Sequence, residues 1–108
     1  MSWVTVCNES TLPQGTGVAA WVAGKAVAIF DLGKHGLYAI DNVDPATGIS
    51  LLARGLICDM EGVLCVASPL YKQHYSLETG VCLEDEALVA SPYEIKKEAG
   101  QVLVLAKS

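Results

Sequence analysis

Hydrophobic residues fall in short bursts along this chain, and each burst is stopped by glycine, proline or a polar cluster. Trp3-Val4-Thr5-Val6 reads as a first strand, followed by the polar connection Asn8-Glu9-Ser10-Thr11-Leu12-Pro13 and its continuation Gln14-Gly15-Thr16-Gly17. Residues 18–22 and 25–30 read as strands joined at Ala23-Gly24, a short glycine-bearing loop that suits a hairpin. Asp31-Leu32-Gly33-Lys34-His35-Gly36 is a turn, and residues 37–40 form the next strand. Residues 41–55 look irregular, punctuated by Pro45, Gly48 and Gly55. Within them Ser50-Leu51-Leu52-Ala53-Arg54 offers one helical turn, too short to stand alone.

Gly55-Leu56-Ile57-Cys58-Asp59 reads as a strand that turns at Met60-Glu61-Gly62 into residues 63–67. Residues 74–77 and 81–83 flank Glu78-Thr79-Gly80, a second hairpin signal. Ser91-Pro92 opens an extended segment through Ile95, and Glu98-Ala99-Gly100 turns into a last strand over 101–106. Val102, Val104 and Ala106 alternate there with Leu103 and Leu105, so both faces are apolar and the strand is expected to be central. About ten short strands with turns between them predict an all-β, antiparallel sandwich or small barrel. With 108 residues and no linker, repeat or low-complexity tract, a single domain over 1–108 is expected.

Composition narrows the function classes. Hydrophobic residues make up 52% and charged residues 18%, which argues against disorder. The net charge of −5 repels phosphate backbones, and Lys96-Lys97 is the only basic pair, so nucleic acid is not an expected partner. No apolar run approaches the ~20 residues a membrane helix needs. Met1-Ser2-Trp3-Val4 lacks the basic-then-apolar pattern of a signal peptide, so the cytoplasm is the expected compartment. Cys7, Cys58, Cys65 and Cys82 show no metal-type spacing, and Cys65, inside Val63-Leu64-Cys65-Val66-Ala67, reads as a buried thiol. His35 and His74 are not paired with cysteine at finger spacing and belong to no hydrolytic constellation. Gly15-Thr16-Gly17 is a turn, since a phosphate cradle would need a further x-x-G and a helix. Glu84-Asp85-Glu86 reads as a solvated loop, with a contact surface for a basic partner as the other reading.

Two stretches carry a resemblance. Leu37-Tyr38-Ala39-Ile40-Asp41-Asn42-Val43-Asp44-Pro45-Ala46 and Val66-Ala67-Ser68-Pro69-Leu70-Tyr71-Lys72-Gln73-His74-Tyr75-Ser76-Leu77-Glu78-Thr79-Gly80 resemble the two cluster loops of a Rieske [2Fe–2S] domain. Such a centre is held by two Cys and two His, supplied as C-x-H and C-x-x-H. Here those positions fall on Asp44 and Ala46, and on Ser68 and Tyr71. Ala46 has no donor atom, and the other three offer only oxygen, which matches an iron–sulfur cluster poorly. The expectation is a cluster-free Rieske-like fold with two protruding loops and no cofactor, metal or catalytic residue of its own. Asp44 is then a turn residue before Pro45, with Ser68 and Tyr71 tying the loops together.

Asn42-Val43-Asp44-Pro45, Leu52-Ala53-Arg54-Gly55-Leu56-Ile57, Val66-Ala67-Ser68-Pro69-Leu70 and Cys82-Leu83-Glu84-Asp85-Glu86 together resemble the small subunits of cytoplasmic NAD(P)H-dependent nitrite reductases. That resemblance implies a large-subunit partner carrying FAD, a [4Fe–4S] cluster and sirohaem, which reduces nitrite to ammonium in nitrate assimilation. The surface expected to meet it is the loop tip: Pro45, Ala46, Pro69, Leu70, Tyr71 and Lys72. Tyr71 has an alternative place packed inward. Arg54, the only arginine, either pairs internally, the favoured reading, or reaches a partner carboxylate. Two other functions stay open: a Rieske-type ferredoxin with unusual ligands, and an interaction module for another oxidoreductase.

Overall fold

The computed structural model describes residues 2–70 and 72–107. Twelve strands lie among them: β1 Trp3–Asn8, β2 Gly17–Val22, β3 Lys25–Asp31, β4 Leu37–Asp41, β5 Val43–Asp44, β6 Ile49–Ser50, β7 Leu56–Met60, β8 Val63–Ala67, β9 His74–Ser76, β10 Pro92–Tyr93, β11 Ile95–Glu98 and β12 Gln101–Leu105. The strand ladders are all antiparallel, in sheets ordered β1-β12-β11, β10-β4-β3-β2, β5-β6 and β7-β8-β9.

Three of the hairpins are set by the same local chemistry. Ala23-Gly24, Glu61-Gly62 and Ala99-Gly100 each place two consecutive residues at positive φ, the backbone of a tight hairpin turn whose twist matches the strands it joins. The turn at Glu61-Gly62 pairs Met60 with Val63 and fixes the register of β7 against β8 down to Leu56 opposite Ala67. The sequence reading placed Met60 inside that turn; it is the last residue of β7.

The layers follow from β3. Val27, Ala28, Ile29 and Phe30 are all fully buried, so the strand has core on both faces. Val27 and Ile29 pack with Val22, Val102 and Val104, toward the β1-β12-β11 sheet. Ala28 and Phe30 pack with Ile40, Leu52, Val66, Tyr75 and Leu77, toward the β7-β8-β9 sheet. The β10-β4-β3-β2 sheet is thus the middle layer of an antiparallel sandwich. β12 lies between β1 and β11, as its two apolar faces predict.

Residues 41–55 are more ordered than expected. β5 and β6 form a two-residue hairpin, and Leu52–Arg54 is a single 3-10 turn. Asn42, nearly buried, organises both. Its carbonyl accepts from the N–H groups of Leu51 and Leu52 (both 2.9 Å), its side-chain oxygen accepts from Ala53 N–H (2.7 Å), and its amide donates to Ser50 Oγ (2.7 Å). One residue, through its carbonyl and its side chain together, therefore satisfies three backbone donors that an irregular segment would otherwise leave without partners.

Candidate functional site

The two loops meet on one buried carboxyl group. Asp44 ends β5 and is fully buried. Its Oδ2 accepts from the Ser68 hydroxyl at 2.6 Å, and its Oδ1 accepts from the Tyr75 hydroxyl at 2.6 Å and from the Ala46 N–H at 2.9 Å. The Asp44 carbonyl accepts from the N–H groups of Thr47 (3.1 Å) and Gly48 (2.7 Å), which closes the first loop on itself. The second loop is closed in the same way: Ser68 N–H donates to the Gln73 carbonyl (2.8 Å) and Lys72 N–H to the Ser68 carbonyl (3.0 Å). Burial, and then the Asp44 carboxyl, push the Tyr75 phenol above its ordinary value, so it stays a proton donor.

Three of the four positions that would hold a cluster are thereby placed. Asp44 has both oxygens occupied, Ser68 is buried with its hydroxyl committed to Asp44, and Ala46 is exposed without a donor atom. The fourth, Tyr71, lies outside the described residues, as does its expected part in tying the loops. The tie between the loops is Ser68 with Tyr75 on β9. These residues do not fit a [2Fe–2S] cluster: they present neither thiolate nor imidazole, and their oxygens are satisfied by one another. Among the described residues no group of three or more His, Cys, Asp or Glu is arranged to hold a metal ion.

Beside this link the chain exposes apolar side chains. Leu56, the first residue of β7, is 75% exposed, and Leu70, at the second loop, is 50% exposed, values far above those of a packed leucine. Pro69 and Lys72 are exposed, and so is Arg54. An open groove of about 310 Å³ beside Leu56 is lined by Arg54, Gly55, Leu56, Ala67, Ser68, Pro69, Lys72 and His74. Gly55 is needed there: a Cβ would run into the Ala67 carbonyl and lie 2.6 Å from Val66 Cγ2, so a larger residue would push β7 away from β8. Arg54 makes no ion pair or side-chain hydrogen bond among the described residues, which removes the favoured internal pairing and leaves its guanidinium directed to solvent. Pro45 is half-buried and does not line the groove.

Two side chains were misjudged from sequence. Leu56 was read as an ordinary strand residue and is instead the most exposed leucine of the patch. Its signal was an apolar residue opening a strand two positions after the only arginine. Glu84 was read within a solvated acidic run, yet it grips His74, its Oε1 accepting from the His74 N–H (2.8 Å) and its Oε2 lying 2.7 Å from Nδ1. Burial is the largest single influence and raises the Glu84 carboxyl, but the His74 N–H, the His74 imidazole and the Cys82 thiol together outweigh it and hold the carboxyl below its ordinary value. His74 is thereby fixed as a structural tie at the groove wall.

Known proteins resemble this chain over nearly its whole length. Residues 2–105 match the Rieske-like [2Fe-2S] domain family. A nitrite reductase (NADH) small subunit of Salmonella typhimurium is 41% identical over 101 residues, covering 93% of this chain and 94% of that one. The solution structure of a nitrite reductase [NAD(P)H] small subunit from Erwinia carotovora superposes with a TM-score of 0.82 at 40% identity, over 100% of this chain and 85% of that one. A nitrite reductase [NAD(P)H] large subunit of Klebsiella oxytoca matches 94% of this chain at 33% identity, over only 11% of its own length. A region similar to almost the whole of this chain is therefore built into that longer protein. The chain belongs to the Rieske-like [2Fe-2S] domain family, within the branch of nitrite reductase small subunits.

Proposed function

We propose that the chain is the non-catalytic small subunit of an assimilatory, cytoplasmic nitrite reductase, and that it docks on the large subunit through the tip formed by its two loops. The observation that carries this reading is the Asp44–Ser68–Tyr75 link: the place where a Rieske domain would hold its cluster is a hydrogen-bonded brace. A brace of this kind keeps the loops rigid and leaves their outer surface available for contact. The apolar centre of Leu56, Pro69 and Leu70, edged by Arg54 and Lys72, has the make-up of a contact surface, with desolvated apolar groups inside and charge at the rim. Two cations on a chain of net charge −5 favour an acidic rim on the partner. Pro45 and Tyr71 belong to the same proposed contact.

The large subunit is expected to hold FAD, a [4Fe–4S] cluster and sirohaem and to carry out all electron transfer from NADH or NADPH to nitrite. This chain contributes no electron-carrying cofactor and no catalytic residue to that reaction; it binds and supports. The Klebsiella oxytoca protein supports the pairing, since a similar region there travels in one polypeptide with the rest of a large subunit. The ferredoxin reading requires a cluster that Asp44, Ala46 and Ser68 are not equipped to ligate.

Reconstitution tests the assignment. The purified chain should be colourless and iron-free, should co-purify with the large subunit, and should raise its nitrite-dependent NADH or NADPH oxidation or its heat stability. A large subunit with the same rate and stability in the absence of this chain would overturn the reading, and a visible cluster spectrum in this chain would favour the ferredoxin.

A further inference from the structure

One chemical feature lies outside the docking surface. The register of the β7–β8 hairpin sets Cys58 directly opposite Cys65, with the two sulfurs 3.1 Å apart. Residues directly opposed on antiparallel strands have Cα atoms about 4.5–5.5 Å apart, inside the range that a disulfide spans. The bridge therefore needs only side-chain rotation to close. Each sulfur also lies near the other residue's carbonyl, Cys58 Sγ at 3.7 Å and Cys65 Sγ at 3.5 Å, so both side chains already turn toward the partner strand. Cys65 is fully buried, while Cys58 is half-buried and reachable from solvent. Cys7 and Cys82 are not part of this contact.

We propose that Cys58 and Cys65 form a reversible disulfide site that takes low-molecular-weight disulfides as oxidants. The Cys58 thiolate attacks one sulfur of the small disulfide, forming a mixed disulfide and releasing one small thiolate. Cys65 then loses its proton and attacks Cys58 Sγ, forming the intramolecular S–S bond and expelling the second small thiolate. The two protons from the protein thiols end on the two small thiols. The protein dithiol is oxidised by two electrons and the small disulfide is reduced by two. Burial and the neighbouring Cys58 sulfur push the Cys65 thiol up to about 12, which assigns the first attack to Cys58 and the second, at contact distance, to Cys65. The bond would staple β7 to β8 two residues from the Leu56–Ala67 pair, at the base of the strands that lead to the tip.

The test uses the full reduced chain and oxidised glutathione, followed by alkylation and peptide mapping. Two of the four free thiols should become unreactive, the intact mass should fall by about 2 Da, and mapping should join Cys58 to Cys65; dithiothreitol should reverse all three. Cys58→Ser should abolish the intramolecular bond, whereas Cys7→Ser should leave it intact. Four alkylatable thiols after treatment, glutathione retained on Cys58, or a bond involving Cys7 or Cys82 would each overturn the proposal.

Discussion

A single buried carboxyl group decides how the two loops sit. Asp44 accepts from two hydroxyls and one N–H with no water-exposed surface of its own. Replacing it leaves the buried Ser68 and Tyr75 hydroxyls without their acceptor, and each buried unsatisfied group costs about 1–3 kcal/mol. Asp44→Ala is therefore expected to lose about 2–4 kcal/mol in urea unfolding. Tyr75→Phe, which removes one donor and keeps the ring in the core, should lose about 1 kcal/mol. An Asp44→Ala protein within ~0.5 kcal/mol of the parent would contradict the brace. Glu84 makes a second, pH-dependent tie. Its folded carboxyl lies below the ordinary value of 4.5, so its contribution is complete above that value and is lost as pH falls through the lower, folded one. The melting temperature advantage of the parent over Glu84→Gln should shrink as pH falls below about 4.5. A difference that stays constant into stronger acid would show that the tie does not depend on the ionised Glu84 carboxyl.

At the scale of elements, legibility tracked how local the determinant is. Ala23-Gly24 announces its hairpin because the turn chemistry is contained in two residues, and β12 announces its central place because Val102, Leu103, Val104 and Leu105 leave no polar face. The β5–β6 hairpin was missed because two residues carry no periodicity; what holds it is Asn42, through bonds to residues eight to eleven positions on. That Ser68 ties the loops was legible from their resemblance, but not that Asp44, read as a turn residue, is its acceptor, nor that Tyr75 joins it, since Tyr75 reaches Asp44 across 31 positions from a strand whose facing depends on its pairing with β8. The Cys58–Cys65 contact was hidden by an error of one residue: with Met60 placed in the turn, the cysteines do not face each other. Reading Glu61-Gly62 as a two-residue turn would have found them. Arg54 was expected inside an ion pair; its loop, held by Asn42 below and by the close approach at Gly55, turns it outward.

For the whole molecule, the same arrangement explains how so small a chain can present a fixed contact surface. Core on both faces of β3 gives a rigid body, the Asp44 brace fixes the two loops to it, and the exposed leucines lie at their edge. Leu56 and Leu70 contribute little to the fold from such exposed positions, so charged replacements there should change stability by no more than ~0.5 kcal/mol. Their burial against a partner is where they would count, at about 1.5–3 kcal/mol each. The most direct test is the affinity of the Leu56→Asp/Leu70→Asp chain for the purified large subunit, compared with the parent and with Val43→Asp, which changes an exposed residue away from the groove. The account predicts at least about a tenfold loss of binding for the double variant, with the melting temperature unchanged and Val43→Asp binding like the parent. Parent-like binding by the double variant would contradict docking through this tip.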